Sequence, residues 1–208
     1  MIYLLNPTLM TKPVKSLVLI TIAAFLFHSS NAQLRLPVIS GGVGSDVKKV
    51  IEDYPNRFIN LMGEVRTENP QSTNYNCNFN VSGAEEAIII RYSAKKDVCS
   101  WEALMLTTEN FEKAKQKFKS LYNQLNNLSV DIGSIKNFHL NGKYEVPEEK
   151  KKFSTVVFSF EPINESVKKL RVEISIQYQA PMEWKVKVLV YDKEREDDER
   201  GKTVEERR

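Results

Sequence analysis

The sequence predicts an α+β fold in two layers, with an antiparallel sheet covered on one face by two helices. Three observations predict it. Two segments repeat apolar residues at helical spacing, and several shorter ones alternate apolar with polar residues. Their order is helix, three strands, helix, then three or four strands, or α-βββ-α-βββ(β). Each helix carries one apolar stripe and most strands one apolar face, so the economical packing puts both helices on the same side of one sheet.

The first helix is expected from Ser45, which can cap it, with Asp46 in the first turn. Its stripe is Val47, Val50, Ile51, Tyr54, Phe58, Leu61, Met62 and Val65. Pro55 interrupts the stripe without shifting its phase, which predicts one bent helix or two abutting ones. Residues 68–73 read as a polar loop. Residues 74–81 then alternate strictly: Tyr75, Cys77, Phe79 and Val81 on one face, Asn74, Asn76, Asn78 and Asn80 on the other. Strands over 87–92 and 99–107 follow. Thr108 is expected to cap the second helix, whose stripe is Phe111, Ala114, Phe118, Leu121, Tyr122 and Leu125. In the second half, Asn141-Gly142 predicts a tight hairpin within 138–146. Strands are expected over 153–160, 170–178 and 182–190. The repeated element order suggests a duplicated helix-plus-meander unit, although the halves share no residue pattern that aligns.

The ends of the chain have a different character. Lys12 and Lys15 precede an apolar run over 17–27, and no acidic residue occurs before Asp46. A run of that length matches a signal-peptide core and is about half of what a membrane-spanning helix needs. Ser30 and Ala32 supply small residues at the spacing signal peptidase requires. The expectation is a signal peptide over 1–32, with Met10 opening a leader of more ordinary shape, then a flexible lead-in over 33–44 and a single domain over 45–192. A charged tail of mixed sign occupies 193–208. The mature protein is thus expected to be exported, periplasmic or extracellular, with no stable membrane anchor after leader cleavage.

Composition narrows the partners. The net charge of +3 falls to +1 once Lys12 and Lys15 leave with the leader. Acids are interleaved with the lysines, so no concentrated basic surface is expected and nucleic acid is a poor partner. Cys77 and Cys99 are the two cysteines. Export favours a disulfide between them, which would close a loop of about 22 residues and contribute about 3 kcal/mol on the chain-entropy model. Strand order opposes it, because first and third strands of a meander lie about 9.6 Å apart, too far for a bridge.

Catalytic residue types are scarce. His139 is the one histidine after the leader, so any Ser-His-acid or Cys-His chemistry would have to use it. No His, Cys or carboxylate spacing suits zinc. The acidic run from Glu194 to Glu199 lacks the turn glycine of a calcium loop. Gly41, Gly42 and Gly44 precede a helix but lack the preceding strand and lysine of a phosphate loop, and read as linker. No cofactor and no metal are expected. Trp101 and Trp184 lie in phase with core residues. Asn80, Asn127 and Asn164 each begin an Asn-x-Ser sequon, relevant only to a eukaryotic secretory route.

The asparagine row Asn74, Asn76, Asn78 and Asn80 is the most unusual feature. It is the candidate binding surface of an exported, non-enzymatic domain that engages a protein or cell-envelope component. Two alternatives stand beside it. One is a carrier of a small apolar ligand between sheet and helices, suggested by Phe79, Trp101, Phe118, Phe158 and Trp184. The other is a carboxylate-based hydrolase.

Overall fold

The computed structural model describes residues 41–93 and 98–194. The chain divides between Ile39 and Ser40, and the fold below is that of the second unit. The expected leader, most of the lead-in and all but the first two residues of the charged tail lie outside the described residues.

Among the described residues, nine strands form one antiparallel sheet that two α-helices pack against. Helix α1 spans Val43–Glu52. A first meander follows: β1 Met62–Asn69, β2 Ser72–Cys77, β3 Glu86–Tyr92 and β4 Cys99–Thr108. Helix α2 spans Phe111–Leu125. The second meander is β5 Ser129–Ile132, β6 Ile135–Asn141, β7 Phe153–Glu161, β8 Leu170–Gln179 and β9 Glu183–Asp192. The sheet order is β1-β2-β3-β4-β9-β8-β7-β6-β5, so each meander runs inward from an edge and the two meet at β4 and β9. Trp101 faces Val190 across that seam, and Ala103 faces Val188.

The helices share one face. Phe111 of α2 packs on Trp184 of β9 at 4.8 Å between ring centroids, and Tyr122 stacks toward Phe158 of β7 at 6.0 Å. Phe118, Leu121 and Leu125 from α2 are fully buried, as are Val47, Val50 and Ile51 from α1. Each such side chain contributes about 1.5–3 kcal/mol by leaving water. Trp101, Ala103, Val172, Ile174, Val186, Val188 and Val190 complete the same cluster from the sheet. Phe158 and Trp184 belong to it as well, so both tryptophans are buried core residues.

Several elements differ from expectation for identifiable reasons. Helix α1 starts at Val43 with Gly42 as its cap, and Ser45 lies inside it. The Asp46 carboxylate reaches out to accept the Ser82 backbone N–H at 2.7 Å. The helix also stops at Glu52 instead of continuing through Pro55. Asp53 ends it: its Oδ1 accepts from Asn56 Nδ2 at 2.8 Å and from Asn60 Nδ2 at 2.6 Å. These side chains stabilise a local turn that competes with the helix, and Pro55 cannot donate to a continuing one. Two short 3-10 segments result, with Arg57 and Phe58 between them in left-handed conformation, both at φ 58°. Phe58 and Leu61 still reach the core, which preserves the helical phase of the stripe without the helix.

Strand β1 is the largest surprise, since its burial pattern shows no alternation. Its pairing with β2 defines it: Met62 opposes Cys77, Val65 opposes Tyr75 and Thr67 opposes Asn74, with bulges between. The expected strand over 74–81 is therefore displaced toward 72–77. Asn78 leaves the ladder to bond the turn before β1, its N–H donating to Leu61 O at 2.9 Å and its Nδ2 to Asn60 O at 2.6 Å.

At α2, Asn110 is the cap in place of Thr108: its side chain accepts the Lys113 N–H at 3.0 Å, and Thr108 Oγ1 accepts the Asn110 N–H. Asn141-Gly142 makes no hairpin. The turn lies earlier, at Gly133 with φ 59°, between β5 and β6. Gly142 instead lets the chain pass close to β7, because a Cβ there would sit 2.7 Å from Phe158 Cδ1 and 2.8 Å from Val156 Cγ1.

Candidate functional site

The second face of the sheet carries no described helix. Register identifies its residues. One row crosses six strands as Asn76, Ile88, Glu102, Leu189, Glu173 and Val157. The next runs Thr67, Asn74, Ile90, Ser100, Tyr191 and Arg171. Near the middle, Lys187 Nζ pairs with Glu102 Oε1 at 2.6 Å, both half-buried. Tyr191 donates its hydroxyl to Glu173 at 2.8 Å. Toward β7, Phe153 and Val157 are 47% and 44% exposed, unusual for a strand whose other face is core. The face is therefore a mixture of aliphatic side chains, tethered charges and amides.

The asparagine row is split. Asn74 and Asn76 stand on this face within β2, while Asn78 and Asn80 lie beyond the strand. Asn78 has a structural use in the turn described above. The Asn74 side-chain oxygen is buried and accepts no hydrogen bond among the described residues.

Cys77 and Cys99 do not form the expected disulfide. Cys99 pairs across β3 with Arg91, and Arg91 pairs with Thr73 on β2, four positions from Cys77. Two strand spacings plus four residues of rise separate the cysteines by about 16 Å, far beyond disulfide reach.

His139 is exposed on β6. Register sets it between Ser129 on β5 and Glu161 on β7, a Ser-His-acid row across three strands. Ser129 Oγ and His139 Nδ1 share a hydrogen bond at 3.0 Å, but the Glu161 carboxylate accepts from Asn141 Nδ2 at 2.8 Å. A hydrolytic triad needs the acid to orient the imidazole, and here the acid is engaged elsewhere. Among the described residues, no group of three His, Cys, Asp or Glu side chains could hold a metal. No described helix is long and apolar enough to cross a membrane.

A second feature is a corner that sequence reading missed. The 3-10 turn at Tyr54–Asn56 brings Tyr54 against the end of β9, where its hydroxyl donates to Asp192 Oδ2 at 2.8 Å. Burial, then the hydrogen bond to Asp192 and its charge, push the Tyr54 hydroxyl well above its ordinary value of 10.0. Tyr54 lines two cavities. The smaller, about 190 Å³, is bounded by Pro55, Arg57, Phe58, Cys99 and Asp192. The larger, about 560 Å³, is bounded by Glu165, Ser166, Lys168, Lys169, Arg171, Lys193 and Glu194. Nothing in the local pattern around Tyr54, an ordinary stripe position, signals a partner 138 residues away.

Compared with known proteins, the chain matches no family model, no curated protein and no solved structure.

Proposed function

We propose that this protein is an exported, non-enzymatic binding domain that engages a protein or cell-envelope partner on the helix-free face of its sheet. One observation carries the reading: both described helices pack on the Trp101–Val188 face, while the opposite face keeps Phe153 and Val157 exposed on β7 and carries Asn74 and Asn76 toward its other edge, on β2. Mixed aliphatic and amide surfaces of this kind suit a protein partner, with apolar side chains for area and amides for register. Export rests on the leader-like first 32 residues.

The carrier reading draws no support from the interlayer space, where Trp101, Phe58, Phe118 and Phe158 are packed at 0–1% exposure. The two cavities at Tyr54 open at the sheet end instead. A carboxylate-based hydrolase needs two carboxylates facing each other across a cleft, and the two acids of the larger cavity, Glu165 and Glu194, are each paired with a lysine.

The test is capture of partners from the host's extracytoplasmic fraction by the wild type and by an Asn76→Lys, Val157→Lys double variant. Both positions are exposed or partly so, so folding should be retained, as a circular dichroism melt would verify. The expected result is loss of the partners that the wild type retains. Identical capture by the folded variant would remove this face from consideration.

A further inference from the structure

We propose that the 560 Å³ cavity at the end of β8 and β9 binds a small ligand bearing a phosphate or sulfate ester, gripped by Arg171, Lys193 and Lys169. The inference does not rest on the proposed partner, although Arg171, Lys169 and Lys193 stand on the same side of the sheet.

Its basis is a concentration of positive charge that the described residues neutralise only in part. The β8–β9 register, with Arg171 opposite Tyr191 and Leu170 opposite Asp192, continues one step to Lys169 and Lys193, whose backbones bond at 2.7 Å. Lys169 and Lys193 are thus cross-strand neighbours, and alternation puts Arg171 on their side of the ladder. Like charges directly opposed across a strand pair are destabilising. Lys168 adds a fourth cation to the cavity wall. Against these stand two acids, each already engaged: Glu165 with Lys168 at 3.3 Å, and Glu194 with Lys169. Among the described residues, Arg171 and Lys193 have no carboxylate partner.

Arg171 is also held for the purpose. Its Nη1 donates to the carbonyls of Lys168 and Leu170, both at 2.9 Å. That clamp fixes the guanidinium plane and leaves Nη2 and Nε as donors. A planar, pre-oriented guanidinium suits two oxygens of a tetrahedral oxyanion. Ser166 and Tyr54 line the same cavity, Ser166 with a hydroxyl that can donate. The volume falls within the range of small-molecule sites, about 300–1,000 Å³, so the ligand has room for an organic body beyond its anionic group. Such an ester is carried either by a soluble metabolite or by a lipid headgroup.

The experiment is a titration of the purified protein with inorganic pyrophosphate, followed by backbone amide NMR. Saturable shifts centred on Ser166, Lys169, Arg171 and Lys193 are expected. An Arg171→Gln, Lys193→Gln variant should weaken binding at least about tenfold. A charge-matched control, Lys113→Gln with Lys119→Gln on exposed positions of α2, should change it less than about twofold. Lys193→Gln alone, at an exposed site, serves if the double variant unfolds. Vesicles containing phosphatidic acid form the second arm. Retention of vesicles by the wild type and not by the double variant would assign the lipid source. Shifts spread evenly over α2 and residues 150–152, or equal losses in variant and control, would overturn the proposal.

Discussion

Tyr54 and Asp192 lie 138 positions apart, and a 2.8 Å hydrogen bond joins them at the corner where the turn after α1 meets the end of β9. The bond ties the first turn of the domain to its last strand. Tyr54→Phe should lower stability by about 0.5–1.5 kcal/mol, measured by urea unfolding at neutral pH. A midpoint unchanged from wild type would mean that the bond contributes nothing in solution.

The same pair predicts an alkaline dependence. Because the folded-state Tyr54 hydroxyl is held above its ordinary 10.0, an unfolded chain releases this proton first as pH rises. The tyrosine's contribution is complete below that value and is lost progressively above it. Stability of the wild type should therefore fall more steeply than that of Tyr54→Phe between about pH 10 and 11. Parallel curves would contradict the assignment.

Asp53 organises the turn that replaces the second half of the expected helix. Asp53→Ala strands the Asn56 and Asn60 amides and releases Arg57 and Phe58 from the geometry that holds them left-handed. A loss of about 1–3 kcal/mol is expected, together with faster amide hydrogen exchange over 54–61. Normal protection there would show that the turn is held by Phe58 packing alone.

Gly142 is set by contact. Gly142→Ala places a methyl group against Phe158 and Val156, and overpacking of this kind costs about 1–3 kcal/mol. Gly41→Ala, where a Cβ meets nothing within 4 Å, is the matched control and should be silent. Equal melting temperatures for the two variants would show that β7 yields freely.

Cys77 and Cys99 should both react with a thiol reagent after unfolding under non-reducing conditions, and reductant should leave the melting temperature unchanged. A mass two hydrogens light would require a strand order other than the one described here.

Legibility differed from element to element. Helix α2 was readable because its stripe is long, uninterrupted and packed on the core, so local period and tertiary burial agree. Strands β3, β4, β7, β8 and β9 were readable for the same reason, each presenting alternate residues to the helices. The stripe from Val47 to Val65 misled, since Phe58 and Leu61 keep helical spacing while the backbone between them is a 3-10 turn. Strand β1 was invisible: exposed Glu64, Arg66 and Glu68 give no alternation, and only hydrogen bonding to β2 makes the segment a strand.

The sequence alone determined the α+β class, the two α-helices of the described residues, most of the strand positions and the face each one buries. These depend on the local period of apolar residues, which a single segment carries by itself. The tertiary structure decided how the two meanders join at β4 and β9 and why Cys77 and Cys99 cannot meet. It also decided that Tyr54, Arg171 and Lys193 surround one cavity. Those are relations between residues about 20 to 140 positions apart, and they follow from strand order and register, which depend on how all the apolar faces pack together.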